Sequence, residues 1–447
     1  MQKPKFKLSG ARLICLSFAL LVLFGTVLLC LPQATRTGQT TSLIDALLTA
    51  TSASCVTGLI AFDTYTHFTL FGQLVILLLI QIGGVGILTL AVMLASALGA
   101  RLGMLQIYAL ADSVGAAGPA GIFRYVRRVF LGVFAFEMIG TILLLPPFVL
   151  RFGAVRGAYF ALFHAVSAFC NAGFDLMGAE APFVSLSPFA GDFYLQAVTA
   201  LLIVLGGLGF FVWSDIGQHR LRFAKYALHT KLVLATSAVL IFGGALLFFG
   251  FANSSPALSS LSVGEKISAS LFQSVSARTA GFSTLDLSRI GGSAQLVMMC
   301  LMLVGGSPGS TAGGMKTTTL AVLALFFRSI VRGKNDTEAF GRRLPAAAVR
   351  TATAIFVLYL SLALSAGALI CAVEGAPLID ALFETFSAVA TVGLSLSLTP
   401  RLCAFSKFLI VLLMYIGRVG GLTVLFSLAG KKDGGACRYP EEQIAVG

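Results

Sequence analysis

The sequence predicts an all-α polytopic membrane protein. Four pseudo-symmetric repeats, each a helix, a re-entrant pore loop and a second helix, surround one central pore. Three observations predict this: the composition, four short segments that end alike in glycine, and the one-sided distribution of basic residues. Of 447 residues, 57% are apolar and 11% charged, and the mean hydropathy is +0.94. Soluble domains carry about 25% charged residues, so a soluble enzyme, a disordered chain and a collagen-like fibre are excluded.

The first element is an apolar run over residues 13–31, preceded by Lys3, Lys5, Lys7 and Arg12. At 19 residues it exceeds the roughly 7–15 of a signal-peptide core, and no A-x-A site follows, so it reads as a retained first helix. Four related segments then recur: SLIDALLTATSASCVTGL ending near Gly58, YFALFHAVSAFCNAGF near Gly173, ISASLFQSVSARTAGF near Gly281 and LIDALFETFSAVATVGL near Gly393. The glycines are 115, 108 and 112 residues apart, a period that defines repeats at 1–112, 113–222, 223–340 and 341–447. The helices expected before the segments cover 13–31, 126–150, 232–251 and 348–373. Those after cover 70–100, 194–213, 294–330 (interrupted) and 405–429. Each is long enough to cross about 30 Å of hydrocarbon, whereas the glycine-terminated segments are too short and read as re-entrant.

The later helix of each repeat carries a glycine cluster: Gly83-Gly84, Gly206-Gly207, Gly305-Gly306 and Gly417 with Gly420-Gly421. Close helix packing through small residues accounts for the first two. Lys3, Lys5, Lys7 and Arg12, then Arg101, Arg124, Arg127 and Arg128, Arg220, Arg222, Lys225 and Lys231, Arg328, Arg332, Lys334, Arg342, Arg343 and Arg350, and Lys431, Lys432 and Arg438 fall on one side. They are 21 of the 31 basic residues. That side is expected to be cytoplasmic, with both termini inside. The net charge of +13 is thereby explained without nucleic acid. Eight scattered Cys without a CxxC pair and four His give neither a disulfide framework nor a zinc site.

Irregular backbone at membrane depth must be buried or line a cavity. A helix that ends there points its carbonyl end, about half a negative charge, at the axis and favours a cation. Aligned on the glycine, the positions one before are Thr57, Ala172, Ala280 and Val392. Two before are Val56, Asn171, Thr279 and Thr391, and three before are Cys55, Cys170, Arg278 and Ala390. The side chains differ, so an ion filter here must work through main-chain oxygens. Arg278 would repel a cation if it faced the axis and is expected to point backward. Glu384 is its expected partner, in a pair that braces the filter. Glu137 lies in the second repeat's first helix without an evident partner.

The third repeat contains GGSPGSTAGGMKTTT. Gly305, Gly306, Ser307, Pro308, Gly309, Ser310, Thr311, Ala312, Gly313 and Gly314 are expected to break the helix, lie below the filter and plug the pore. A phosphate-binding loop is excluded because Met315 separates Gly314 from Lys316 and no strand precedes it. Arg418, in YIGRVGGL, is a membrane-buried charge and therefore a functional candidate.

The segments IDALLTATSASCVTGL, SAFCNAGF, SARTAGF and SAVATVGL, with the glycine-rich break, resemble the Trk/Ktr/HKT potassium transporters, above all the membrane subunits of Ktr-type uptake systems. The resemblance covers essentially the whole chain. A single helix before the first filter resembles Ktr rather than Trk members, and Gly at all four filter positions resembles the potassium-selective ones. The resemblance implies K+ as the transported ion, with possible Na+ stimulation, and the interrupted loop as an intramembrane gate. It implies Arg418 as the basic residue beneath the filter, forming with Lys316 an electrostatic barrier. A structural hydrogen bond for Arg418 and snorkelling for Lys316 stand beside that reading. It further implies a homodimer in a bacterial inner membrane, surrounded by membrane lipid, with a separate nucleotide-binding RCK-domain subunit on the cytosolic side. No nucleotide site is read in this chain. No nucleophile, base and acid share a pocket, so no enzyme is expected. The alternatives are a less selective Na+/K+ channel of the same fold and a secondary transporter of an organic solute. Repeats that all run in one direction argue against the latter.

Overall fold

The computed structural model describes residues 10–86, 122–220, 222–429, 440 and 442. Lys3, Lys5, Lys7, Arg101, Lys431, Lys432 and Arg438, and residues 87–100 of the expected second helix, lie outside these. The described residues are mostly helical, with a single two-stranded hairpin among them. One long helix opens each repeat: Gly10–Cys30, Ile122–Phe152, Leu228–Ala252 and Ala346–Glu374. Their apolar windows are only 22–33% buried. Leu23, Phe24, Val239, Phe242 and Leu246 point away from the protein. Helices with so much apolar outer surface are stable in hydrocarbon and not in water. The polytopic membrane fold is therefore as the composition requires.

Against each long helix packs a shorter one: Leu43–Ser54, Ala154–Cys170, Val263–Ser276 and Leu378–Val389. At 1.5 Å per residue these measure about 18–26 Å, too short to span. Their starts are specified locally. The Ser42 side chain accepts from Asp45 N, Ser262 and Glu265 form a capping box, and Asp380 sits in the first turn after Pro377. Acidic residues there complement the positive end of the helix.

The second helices depart from expectation. Phe193–Leu208 and Phe210–His219 meet at 94°, and Ala404–Val419 meets the segment after Gly420 at 95°. Gly209 and Gly420 hold φ of +93° and +97° at the corners, which a residue without Cβ adopts without strain. In the first repeat Leu70–Val85 ends at Gly86, φ +92°. In the third, Gly292–Leu303 and Thr317–Val331 flank residues 304–316, the break the sequence announces. So among the described residues four single helices, or six counting the bent pairs, have the length and composition to cross a membrane, not eight. The glycine clusters do pack closely, as read for the first two. A Cβ on Gly83, Gly206 or Gly417 would run into the main-chain oxygen of Ser54, Phe169 or Val389. Each of these oxygens lies four residues before its repeat's terminal glycine.

Candidate functional site

Each short helix ends and the chain turns back through its glycine. The residue two before the glycine and the glycine itself have positive φ in all four repeats: 56° and 99° at Val56 and Gly58, 60° and 70° at Asn171 and Gly173, 73° and 80° at Thr279 and Gly281, 52° and 93° at Thr391 and Gly393. The residue between is not left-handed. For β-branched Val56, Thr279 and Thr391 this conformation costs on the order of 1–3 kcal/mol each. Such alternation of handedness aims successive N–H groups to one side and carbonyls to the other.

The N–H groups face back into the protein. Thr57 N donates to Ser52 O (2.8 Å) and Gly58 N to Ser52 Oγ (2.9 Å). Val392 N donates to Ser387 O (2.8 Å) and Gly393 N to Ser387 Oγ (3.0 Å). In the second repeat Ala172 N donates to Ser167 O (2.8 Å), while Ser167 Oγ donates to Phe174 O (2.7 Å). Ser276 Oγ donates in the same way to Phe282 O. These serines were not singled out from the sequence. The signal was present: a Ser-Ala pair recurs before each glycine, its Ser six residues before at Ser52, Ser167 and Ser387 and five before at Ser276.

The carbonyls face one another around a closed ring. A Cβ built on Gly58 would lie 2.6 Å from Ala172 O, one on Gly173 2.8 Å from Ala280 O, and one on Gly281 2.6 Å from Val392 O. One on Gly393 would strike Thr57 O. Each repeat thus meets the next, and the fourth meets the first. Space as well as φ demands glycine at all four corners. Thr57, Thr279 and Thr391 each bury an Oγ1 with no hydrogen-bond partner. An ion pair seals the seam between the last and first repeats: Lys407 Nζ lies 2.6 Å from Asp45 Oδ1. As the two are 362 positions apart, no local pattern could have announced it.

Residues 304–316 lie directly under this ring. Gly305 sits beneath Thr279, where a Cβ would be 2.9 Å from its Cγ2, and Gly314 beneath Ala390, 2.6 Å from its oxygen. Thr311 Oγ1 donates to Phe169 O (3.1 Å) and lies 2.9 Å from the Asn171 amide. The loop also joins the other breaks: Ser307 N donates to Gly207 O (2.9 Å), Phe210 N to Gly309 O (2.8 Å) and Gly314 N to Gly417 O (3.3 Å). Pro308 O faces Gly209, and Gly306, Ser310 and Ala312 pack among themselves. A Cβ on Gly313 would strike Thr391. Arg418 reaches across, donating to Thr311 O and to Gly83 O of the first repeat. Lys316 Nζ donates to Ala312 O within the loop (2.7 Å), so it folds back rather than snorkelling.

Arg278 and Glu384 do not pair. Arg278 points backward, its guanidinium 3.2 Å from Ser237 Oγ on the long helix behind. Glu384 accepts from Ser395 Oγ, Leu396 N, Leu398 N and Thr399 Oγ1, holding the segment after its own glycine. The cause is depth. Arg278 lies three residues before its glycine and Glu384 nine, a difference of about 9 Å along a helix. Glu137 has partners after all: Gln81 Nε2 donates to it (3.1 Å) and Cys170 Sγ lies 3.7 Å away.

On the other face of the ring lies a cavity of about 470 Å³, lined by Gly58, Gly173, Gly281 and Gly393. The residues two beyond each glycine, Ile60, Asp175, Ser283 and Ser395, also line it. Burial and the neighbouring Asp63 carboxylate push the Asp175 carboxyl up to about 7.

A multi-pass helical protein in which four re-entrant segments close a ring of main-chain oxygens falls in the class of pore-loop membrane proteins. Residues 21–434 match the TrkH family, described as cation transport proteins, and the chain belongs to that family. It is 39% identical to the potassium/sodium uptake protein NtpJ of Enterococcus hirae, over 100% of this chain and 99% of that one. It is 37% identical to the Ktr system potassium uptake protein B of Bacillus subtilis over the whole of both. The fold matches the potassium transporter TrkH from Vibrio parahaemolyticus with a TM-score of 0.73 at 19% identity, covering 96% of this chain and 87% of that one.

Proposed function

We propose that the chain takes up potassium ions through the ring, with Cys55–Gly58, Cys170–Gly173, Arg278–Gly281 and Ala390–Gly393 contributing main-chain oxygens in place of the ion's hydration shell. The closed cycle of glycine against neighbouring carbonyl carries this reading: it brings four oxygens together while their N–H groups bond elsewhere. Residues 305–314 form the gate, held under the ring by Arg418, with Lys316 adding positive charge on the ion's path. The excess of Lys and Arg in the loops on that side supports its facing the cytoplasm of a bacterial inner membrane. An inside-negative potential then supplies about 2.3 kcal/mol per charge per 100 mV for uptake. The resemblance of the four filter segments to Ktr-type subunits is the ground for adding a homodimer served by a separate nucleotide-binding RCK subunit, this chain itself binding no nucleotide.

The test is rubidium or potassium flux in proteoliposomes with sodium as competitor, comparing the native protein with Gly58→Ser. Potassium-preferring flux that loses its preference in the variant is the expected result. No cation flux, even with residues 305–314 shortened and an RCK subunit supplied, would overturn it. The printed name of the Enterococcus hirae relative favours a second reading, in which sodium also passes. Comparable sodium and potassium flux in the native protein would establish that one.

A further inference from the structure

The four repeats treat the position two residues beyond the glycine very differently. All four side chains border the cavity outside the ring. Ile60 is apolar. Ser283 Oγ is committed to Leu285 O (2.6 Å) and the Gln273 amide (3.1 Å), and Ser395 Oγ to Glu384. Asp175 is the fourth. Its Oδ1 accepts from Met177 N (2.8 Å), and among the described residues its other oxygen has no hydrogen-bond partner. We propose that Asp175 is the outer docking group for the incoming monovalent cation, drawing it from solution to one quadrant of the cavity before it enters the ring. This rests on the pore reading above and deepens it.

Three features support the assignment. First, the carboxylate is fixed in place. Ser167 Oγ holds Phe174 O (2.7 Å) and His164 Nε2 meets Leu176 N (3.4 Å), so the residues on either side of Asp175 are pinned to the second short helix. Second, no positive charge offsets it: among the described residues no Lys or Arg lines the cavity. Third, two nearby acids add to its field. Asp63 accepts from Tyr65 N, Thr66 N, Thr66 Oγ1 and Phe183 N. Asp286, also on the cavity wall, accepts from Ser288 N and Ser288 Oγ through one oxygen, and it stands on the segment beyond the third repeat's glycine rather than at the position two beyond it. A cavity lined by one sign of charge concentrates counter-ions and raises their on-rate, an effect that salt screens within about 8–10 Å.

The experiment is initial-rate rubidium uptake into proteoliposomes at an external pH of about 8, where a carboxyl titrating near 7 is ionised. It is run at low ionic strength and again with N-methylglucamine chloride added. Asp175→Asn should raise the apparent KM for rubidium about three- to tenfold at low ionic strength and leave the maximal rate unchanged. The gap should narrow in salt. Asp175→Glu should keep a near-native KM. Asp175→Asn combined with Ile60→Asp, which moves the charge to another quadrant, should recover most of the loss. A KM unmoved by Asp175→Asn would overturn the proposal while leaving the pore reading standing. So would a fallen maximal rate that neither salt nor either carboxylate variant changes, because that marks a structural role. Absence of rubidium uptake, even with residues 305–314 shortened and an RCK subunit supplied, would overturn both.

Discussion

The ring and the layer beneath it are built on opposite terms. In the ring, four segments of unlike sequence hold the same alternation of handedness, the same bond from the N–H before the glycine to a serine carbonyl of the short helix, and the same glycine against the next repeat's oxygen. Beneath it, the four second helices do not all behave alike. Three reach a glycine of like positive φ, Gly86, Gly209 and Gly420, the last two turning through about 95°, and one opens into residues 304–316. A main-chain function tolerates any side chain but requires a backbone that only glycine permits, so it recurs in every copy. The blocking function proposed for residues 305–314 would need one loop and one latch, so a single copy would suffice and the symmetry need not hold there.

That contrast can be broken most severely in the ring. Gly393→Ala adds a Cβ against Thr57 O at a φ of +93°. It should reduce potassium flux or its preference over sodium by about tenfold or more, a loss equal to about 1.4 kcal/mol or above, read from competitive rubidium uptake. Gly173→Ala should do the same, and a ring that tolerated either would not be the selective element. Next in size, shortening residues 307–312 should raise flux about tenfold, or about 1.4 kcal/mol, while ion preference holds. A change in preference instead would mean that the two layers are not separable.

Arg418→Gln removes the donors that tie Thr311 O to Gly83 O. Flux should rise severalfold, and Arg418→Lys should only partly restore the block, since an ammonium lacks the guanidinium fork. Smaller again is Ser52→Ala, which leaves Gly58 N without its acceptor. A buried unsatisfied donor costs about 1–3 kcal/mol, to be read as a lowered thermal midpoint with blunted selectivity. The smallest expected value is a null: a double-mutant cycle of Arg278→Met and Glu384→Gln on thermal stability should show additive effects, because the two side chains have separate partners.

Much of this was legible in the chain. The four glycine-terminated segments, their register and the break after Leu303 followed from repetition and from residues such as Pro308 that resist helix. The bends at Gly209 and Gly420 did not. The sequence reading assigned glycine clusters to packing, and nothing local distinguishes Gly206, which packs, from Gly209, which turns the chain. The Ser-Ala register was visible but not read, because a hydroxyl that accepts from an N–H six residues later has no signature in composition. The Arg278–Glu384 pair failed because repeat logic was applied around the axis and not along it.

The sequence by itself determined a membrane-embedded chain of four like-directed repeats, each with a glycine at a fixed place. Those are consequences of hydrophobicity, helix length and backbone freedom, which act within a few turns of chain. Only the tertiary structure decided that each glycine faces the next repeat's oxygen, that Lys407 meets Asp45 across the seam, that Arg418 joins the loop to the first repeat, and that Asp175 alone among its four equivalents offers an uncommitted oxygen to the cavity. Such contacts join residues up to 362 positions apart. They depend on how the repeats close around the axis, and closure is a property of all four together.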